Sequence, residues 1–428
     1  MISSSDPSSS AVKSASVRVR VLSDPPRLAG MMFLQYFGIG AWIVPLGRYL
    51  PADPAAGGLG FDPADVSLIY SAWPVAGMTT PLLVAPLADR YVSAEKLLGC
   101  LQLIMAGFFA LAGWWCGQPE AVNNPWPLFG IMLGYSACLL PTLTLTNVVA
   151  MRNLPDPARG FARVRLVGTF GWIVAGYVVA WAIVPMSPQP FVLAAGVAVV
   201  QGVSSFWLPR TPPMGRGRPV RDLIGLSALA MFRDRAFVGF AVAALIGNML
   251  NQFYVLNANR YLAASGLTHS EAWLTLAQWC EMGCMAAVPF LVGRFGLRPV
   301  MLAGLAGWVV RNAVLAAGSV PVAVAVAVPL HGLSYTFFSV VGALFVDREA
   351  PPHLRASAQA LVTFLSSGPA VLAGYWLASA AGRHFTTPAG IDWAGVWIVP
   401  TAGCLVAFAA FLALFREPPA GRSGGGPG

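Results

Sequence analysis

The chain has 428 residues, of which 57% are hydrophobic and only 10% charged, far below the roughly 25% charged residues of an ordinary soluble domain. That balance excludes a soluble enzyme or nucleic-acid-binding module and describes a polytopic membrane protein. The net charge of +9 is spread along the chain rather than massed into one binding surface.

Apolar runs long enough to cross a bilayer fall near residues 27–49, 64–87, 95–115, 126–150, 162–185, 189–208, 236–262, 270–293, 298–317, 320–346, 354–380 and 394–415. Arg and Lys gather in the leader (Lys13, Arg18, Arg20, Arg27) and in alternate loops, at Arg90 and Lys96, Arg152 and Arg163, Arg294 and Arg298, and Arg348 and Arg355. The intervening loops hold mainly Asp53, Asp62, Glu120, Glu271 and Asp392. This positive-inside asymmetry predicts cytoplasmic termini. The Ser-rich stretch 1–26 lacks the apolar core of a cleavable signal, and is expected to stay as a disordered cytoplasmic leader, as is 416–428 as a tail. The six cysteines lie in or at the ends of spans without metal-ligand spacing, so neither a disulfide framework nor a metal site is expected.

In the first span, Gln35 and Trp42 are two turns apart on one face. Gln35 has two readings, a donor to a solute or a bond to a neighbouring helix. After the second span, Asp89 and Arg90 with Glu95 and Lys96 form either a charged latch at the cytoplasmic end, joined by Arg294 in the other half, or a solvated turn. The fourth span carries Thr142, Thr144, Thr146 and Asn147. Threonine hydroxyls commonly bond back to their own helix. An amide has more to satisfy, so Asn147 reads as a solute contact or as interhelical glue.

The fifth span places Arg165, Thr169 and Trp172 at i, i+4 and i+7. One face thus offers a cation, a hydroxyl and a flat ring, a set able to stack on and hydrogen-bond a polar ring compound. The bland alternative for Arg165 is a side chain snorkelling to the cytoplasmic surface. Gly168 and Gly171 would admit a neighbouring helix.

Residues 209–235, with Pro212, Pro213 and a row of arginines, interrupt the hydrophobic pattern as a linker between two six-helix halves, 27–208 and 236–415. The segment around Asp89 and Arg90 recurs weakly at Gly293 and Arg294, about one half-chain later. Two six-helix halves around a central site is the plan of the major facilitator fold.

The seventh span is amide-rich, and Gln252 and Asn251 are the candidates for the cavity. The eighth holds Gln278 and, near its middle, Glu281. An ionisable group there costs on the order of 2.5–3.5 kcal/mol on insertion scales, so it marks a polar pathway or a buried pair. Glu281 is therefore either a proton carrier or the partner of Arg311 in the ninth span, and Arg311 itself has a third reading as a snorkelling residue near the outer surface. In the tenth span Tyr335 and Phe338 share a face and form either the second wall of an aromatic clamp or ordinary packing. His331 reads as a hydrated histidine near the helix start, or as a proton relay.

Several segments resemble the bacterial nucleoside:proton symporters of the major facilitator superfamily. They are Leu34 and Gln35 through Trp42, Ala88 through Glu95, Pro141 and Thr142, Thr146 and Asn147, Arg163 through Gly171, Pro289 and Phe290, Arg294 through Gly296, and Phe345 through Glu349 with Arg355 through Gln359. The resemblance implies that Arg165, Thr169, Trp172, Gln252, Gln278, Glu281 and Tyr335 surround a nucleoside. Two positions depart from the family: Thr336 stands where an aspartate important for transport is typical, and Val255 stands where a polar residue is.

The expectation is an inner-membrane permease, not an enzyme, that takes up a nucleoside with a proton by alternating access, with Glu281 carrying the proton. A monomer in the lipid bilayer is expected, with no cofactor, metal or nucleic-acid partner. The alternatives are a nucleoside uniporter, because Thr336 cannot titrate, and an exporter of sugars or amphipathic drugs on the same fold.

Overall fold

Inside hydrocarbon every backbone amide must be bonded within the protein, so apolar segments of this length fold as helices. The structure, a computed structural model, describes residues 25–184, 186–213 and 225–415, with the side chains of 81–90 and 158–159 outside that description. Most of the expected leader, the middle of the linker and the tail lie outside the described residues.

The first half contains α1 (Pro25–Tyr49), α2 (Pro63–Arg90), α3 (Ala94–Cys116), α4 (Pro125–Asn153), α5 (Pro157–Ala182) and α6 (Gln189–Ser205). The second contains α7 (Arg235–Ala264), α8 (Ser270–Phe295), α9 (Leu297–Ala316), α10 (Val320–Glu349), α11 (Arg355–His384) and α12 (Trp393–Leu414). Ten of these are long and apolar enough to cross a membrane. With the 28-residue α2 and the shorter apolar α6 they make twelve rods among the described residues.

Local chemistry sets the ends. Asp234 caps α7 by accepting from the amides of Ala236 and Phe237 at 2.6 and 3.2 Å, and Asp392 caps α12 by accepting from Gly395 at 3.1 Å. Gly296, at a φ of 82°, makes the turn from α8 to α9. Three rods are irregular. The helix of α8 is interrupted at Thr275, and α11 is interrupted at Gly368, just before Pro369. In α10, Ala323–Ala327 and Tyr335–Val340 are wound as π-helix, a form often found at functional sites.

The packing repeats at an offset of six helices. In the first half α1 packs on α5 and α6, α3 on α4 and α6, and α2 on α4. In the second half α7 packs on α11 and α12, α9 on α10 and α12, and α8 on α10. The halves meet through α1 against α7, α2 against α11 and α5 against α8, and the last two of these are images of each other under the same offset. This is the major facilitator architecture, and it leaves a space between the halves lined by α1, α5, α7, α8 and α10.

The close approach of α5 to α1 depends on glycine. Gly168 faces the Tyr36 ring and Gly171 the backbone carbonyl of Phe33, where a β-carbon has no room. At the linker end, Glu95 is buried and accepts from the amide of Thr211 at 2.9 Å. Its carboxylate thus holds the start of the linker. The side chains of Asp89 and Arg90 lie outside the described residues. Arg294 is exposed, with its guanidinium 5.6 Å from the ring of its neighbour Phe295.

Candidate functional site

The space between the halves contains a cavity of about 320 Å³, within the roughly 300–1,000 Å³ range of small-molecule sites. Its wall from the first half is α5 with part of α1. Arg165, Thr169 and Trp172 all face it, at the helical spacing read from the sequence. The Arg165 guanidinium lies 3.9 Å from the centre of the Tyr36 ring and donates to the Thr169 hydroxyl at 3.4 Å. It therefore turns into the cavity instead of snorkelling.

The facing wall is α8 with α10. Gln278, Glu281 and Tyr335 line the cavity. Tyr36, Arg165, Glu281 and Tyr335 lie within electrostatic reach of one another across the two halves. Among the described residues no side chain forms an ion pair or hydrogen bond with Glu281. The expected alternative, a pair with Arg311, is not formed. Arg311 is fully buried instead of snorkelling, and bonds to Asn251, Asn312 and His331.

Five candidates lie elsewhere. Gln35 sits in the core of the first half, donating to the Thr142 hydroxyl at 3.0 Å and accepting from Gln102 and Gln201, both at 2.8 Å. Trp42, on the same face, donates to the Tyr135 hydroxyl at 2.9 Å. The polar face chosen on α1 is thus the one that packs inward, and the cavity is lined by the face of Tyr36, Ile43 and Val44. Asn147 is partly buried and does not line the cavity. Gln252 is buried and its amide donates back to the carbonyl of Asn248 on its own helix at 2.9 Å. Asn251 accepts from Arg311 at 2.8 Å. Phe338 is fully buried among Phe240, Trp308 and Phe411 and belongs to the hydrophobic core.

The sequence reading did not place the polar lining residues Tyr36, Tyr254, Asn259, Glu271 and Thr275 at the cavity, and it weighed His331, which also lines it, only as a hydrated histidine or a proton relay. On α7 the cavity face runs Tyr254, Val255, Ala258, Asn259, a helical pattern that the neighbouring amides masked. His331 is placed well inside α10, not at a hydrated helix start.

Polar contacts between the halves gather at the end away from the linker. Asn259 donates to the Val44 carbonyl at 3.0 Å and to Glu271 at 3.0 Å, and accepts from Ser270 at 2.6 Å. His269 donates from Nδ1 to the Ala180 carbonyl at 2.7 Å, with its ring 5.7 Å from that of Trp181. Ser67 donates to the Tyr375 carbonyl at 2.8 Å. Of these, Val44, Asn259 and Glu271 also line the cavity. Tyr335, on the linker side of the lining, is 43% exposed.

A family model for the nucleoside H+ symporters matches residues 24–420. The chain belongs to the nucleoside H+ symporter family. It is 32% identical to the Escherichia coli (strain K12) protein YegT over 410 residues, covering 91% of this chain and 93% of that one. It is 28% identical to the xanthosine permease of the same organism, covering 91% and 94%. Among solved structures it is similar to the nucleoside transporter NupG, with a TM-score of 0.80 at 25% identity, covering 92% of this chain and 99% of that one. A peptide transporter, POT, shares the fold at a TM-score of 0.70 and 17% identity, covering 91% and 93%. In this chain the cation, hydroxyl and ring of α5 and the carboxylate of α8 stand on opposite walls of one cavity.

Proposed function

We propose that this symporter-family member is an inner-membrane permease that carries a nucleoside into the cell together with a proton, by alternating access. The observation that carries the reading is the opposition of Arg165, Thr169 and Trp172 on one half to Gln278, Glu281 and Tyr335 on the other, around a cavity of nucleoside dimensions. A base stacks against Trp172 and Tyr335. The ribose hydroxyls, each both donor and acceptor, bond among Arg165, Gln278 and Glu281. Relatives named as nucleoside transporter and xanthosine permease support the substrate class.

Glu281 carries the proton. A carboxyl with no fixed partner is free to change its charge as the cavity opens to one side and then the other, whereas an ion pair would hold the charge in place. Each proton entering through the membrane potential contributes about 2.3 kcal/mol per 100 mV, enough to drive accumulation at a stoichiometry of one. The contacts at the end away from the linker correspond to the outward side closed, with the cavity reached from the cytoplasm.

The test is uptake of radiolabelled uridine and adenosine into proteoliposomes under an imposed pH gradient. Wild type accumulates nucleoside. Glu281→Gln loses accumulation but retains exchange of external for internal nucleoside. Accumulation by that variant at the wild-type level removes Glu281 from the coupling. A second reading, uniport, is favoured by Thr336, a buried hydroxyl that cannot titrate; wild-type uptake that ignores both the pH gradient and a protonophore establishes it instead.

A further inference from the structure

His331 and Arg311 form a pair that the transport cycle as described does not use. Arg311 is fully buried in α9 and approaches His331 Nδ1 at 2.9 Å. A guanidinium carries only donors, so the bond requires a lone pair on Nδ1. Asn251 accepts from the same nitrogen of Arg311 at 2.8 Å, Asn312 accepts from its Nε at 3.2 Å, and the guanidinium sits 4.6 Å from the Tyr254 ring. Tyr254 in turn stacks on His331, with ring centres 4.4 Å apart and planes inclined by 15°. The imidazole is therefore fixed in position by one ring contact and in tautomer by one hydrogen bond. Among the described residues its other nitrogen, Nε2, has no hydrogen-bond partner and is not sealed in the interior, and His331 lines the cavity.

We propose that Arg311 is a positioning residue that holds His331 as the neutral Nε2–H tautomer, and that His331 is thereby a specificity-determining donor for a hydrogen-bond acceptor on the substrate. The acceptor is a carbonyl oxygen or an unprotonated ring nitrogen of the base. This rests on the nucleoside reading for the identity of the ligand, but not for the state of the histidine. His331 is also removed from proton carrying, because a proton arriving at Nδ1 must displace the Arg311 bond. The charged and titratable groups facing the pair are Tyr254 from α7, Glu281 from α8, Tyr335 one turn along α10 and Cys404 from α12. None of them is a carboxylate bonded to the imidazole, so nothing opposes the Arg311 preference.

Ring nitrogen-15 chemical shifts of histidine-labelled full-length protein in nanodiscs report the tautomer directly, with His331→Gln identifying the signal. The expected pair of shifts is an unprotonated Nδ1 and a protonated Nε2 in wild type, becoming a mixture in Arg311→Gln. An Nδ1–H or doubly protonated ring in wild type overturns the proposal without reference to any ligand. Calorimetric titration with uridine and with analogues each lacking one base acceptor tests the second half. His331→Phe weakens uridine by about tenfold while His331→Gln, which keeps a donor, stays within about threefold. One analogue loses affinity for wild type but not for His331→Phe. If every analogue loses equally in both proteins, His331 contacts no acceptor and the specificity role is overturned. Failure of all nucleosides to bind wild type removes the nucleoside reading, and the donor role for a base with it, while the tautomer result stands.

Discussion

Arg48 of α1 and Glu271 of α8 face each other across the junction of the two halves, with 3.8 Å between Arg48 Nη1 and Glu271 Oε1. Glu271 is buried and also accepts from Asn259, which reaches over to the Val44 carbonyl of α1. These groups tie both halves together at the end of the cavity away from the linker, and the proposed alternating access requires that they break. A partly exposed ion pair alone contributes about 0–1 kcal/mol. The amide adds bonds that lose their partners when it is truncated, costing roughly 1–3 kcal/mol.

Arg48→Gln is therefore expected to shift the conformational balance slightly toward the outward-open form, and Asn259→Ala by about tenfold. Labelling of a cysteine at Ala258 by an impermeant maleimide, in a background cleared of native cysteines, measures the shift. Equal labelling rates in wild type and Asn259→Ala contradict a restraining role for the Asn259 contacts.

Trp172 is the ring of the α5 wall. Stacking of a base on an aromatic side chain contributes about 1–3 kcal/mol, so Trp172→Ala should weaken uridine about tenfold or more while Trp172→Phe keeps most of the affinity. Calorimetry on the purified protein separates the two. An alanine variant with unchanged affinity places the base elsewhere.

Gln252 and Gln278 make a contrasting pair. Family resemblance puts both beside the substrate, yet Gln252 bonds to its own helix and packs against Gly374 of α11, whereas Gln278 lines the cavity. Gln278→Ala should lower nucleoside affinity by about three- to tenfold, the contribution of one hydrogen bond, and Gln252→Ala should leave it within about twofold. Reversal of that order in a binding titration assigns the substrate to the α7 side.

Gly171 tests the packing that positions the α5 wall. A larger residue meets the Phe33 carbonyl, which cannot rotate away as a side chain does. Overpacking of this kind costs typically about 1–3 kcal/mol, so Gly171→Val should lower the thermal midpoint of the detergent-solubilised protein. Gly196, with open space around its position, is the control, and Gly196→Ala should leave the midpoint unchanged. Equal midpoints for all three proteins contradict the close approach of α5 to α1.

The twelve rods, their grouping and the α5 triad were legible in the chain itself. Hydrocarbon imposes length and apolarity on each span, and the helical period brings Arg165, Thr169 and Trp172 onto one face whatever surrounds them. Glu281 was legible for a related reason, since an isolated carboxylate in a greasy segment has few places to go. Which polar face looks into the cavity was not legible. Gln35 and Tyr36 are adjacent in α1 and both are shielded from lipid, but Gln35 is satisfied by Gln102 and Gln201 from two other helices and Tyr36 by the cation of α5. The same holds for Asn251, absorbed by Arg311, and for Asn259, which bridges the halves. A hydrophobicity pattern separates lipid from protein; only the arrangement of all twelve helices decides which buried polar groups complete one another and which are left facing the space between.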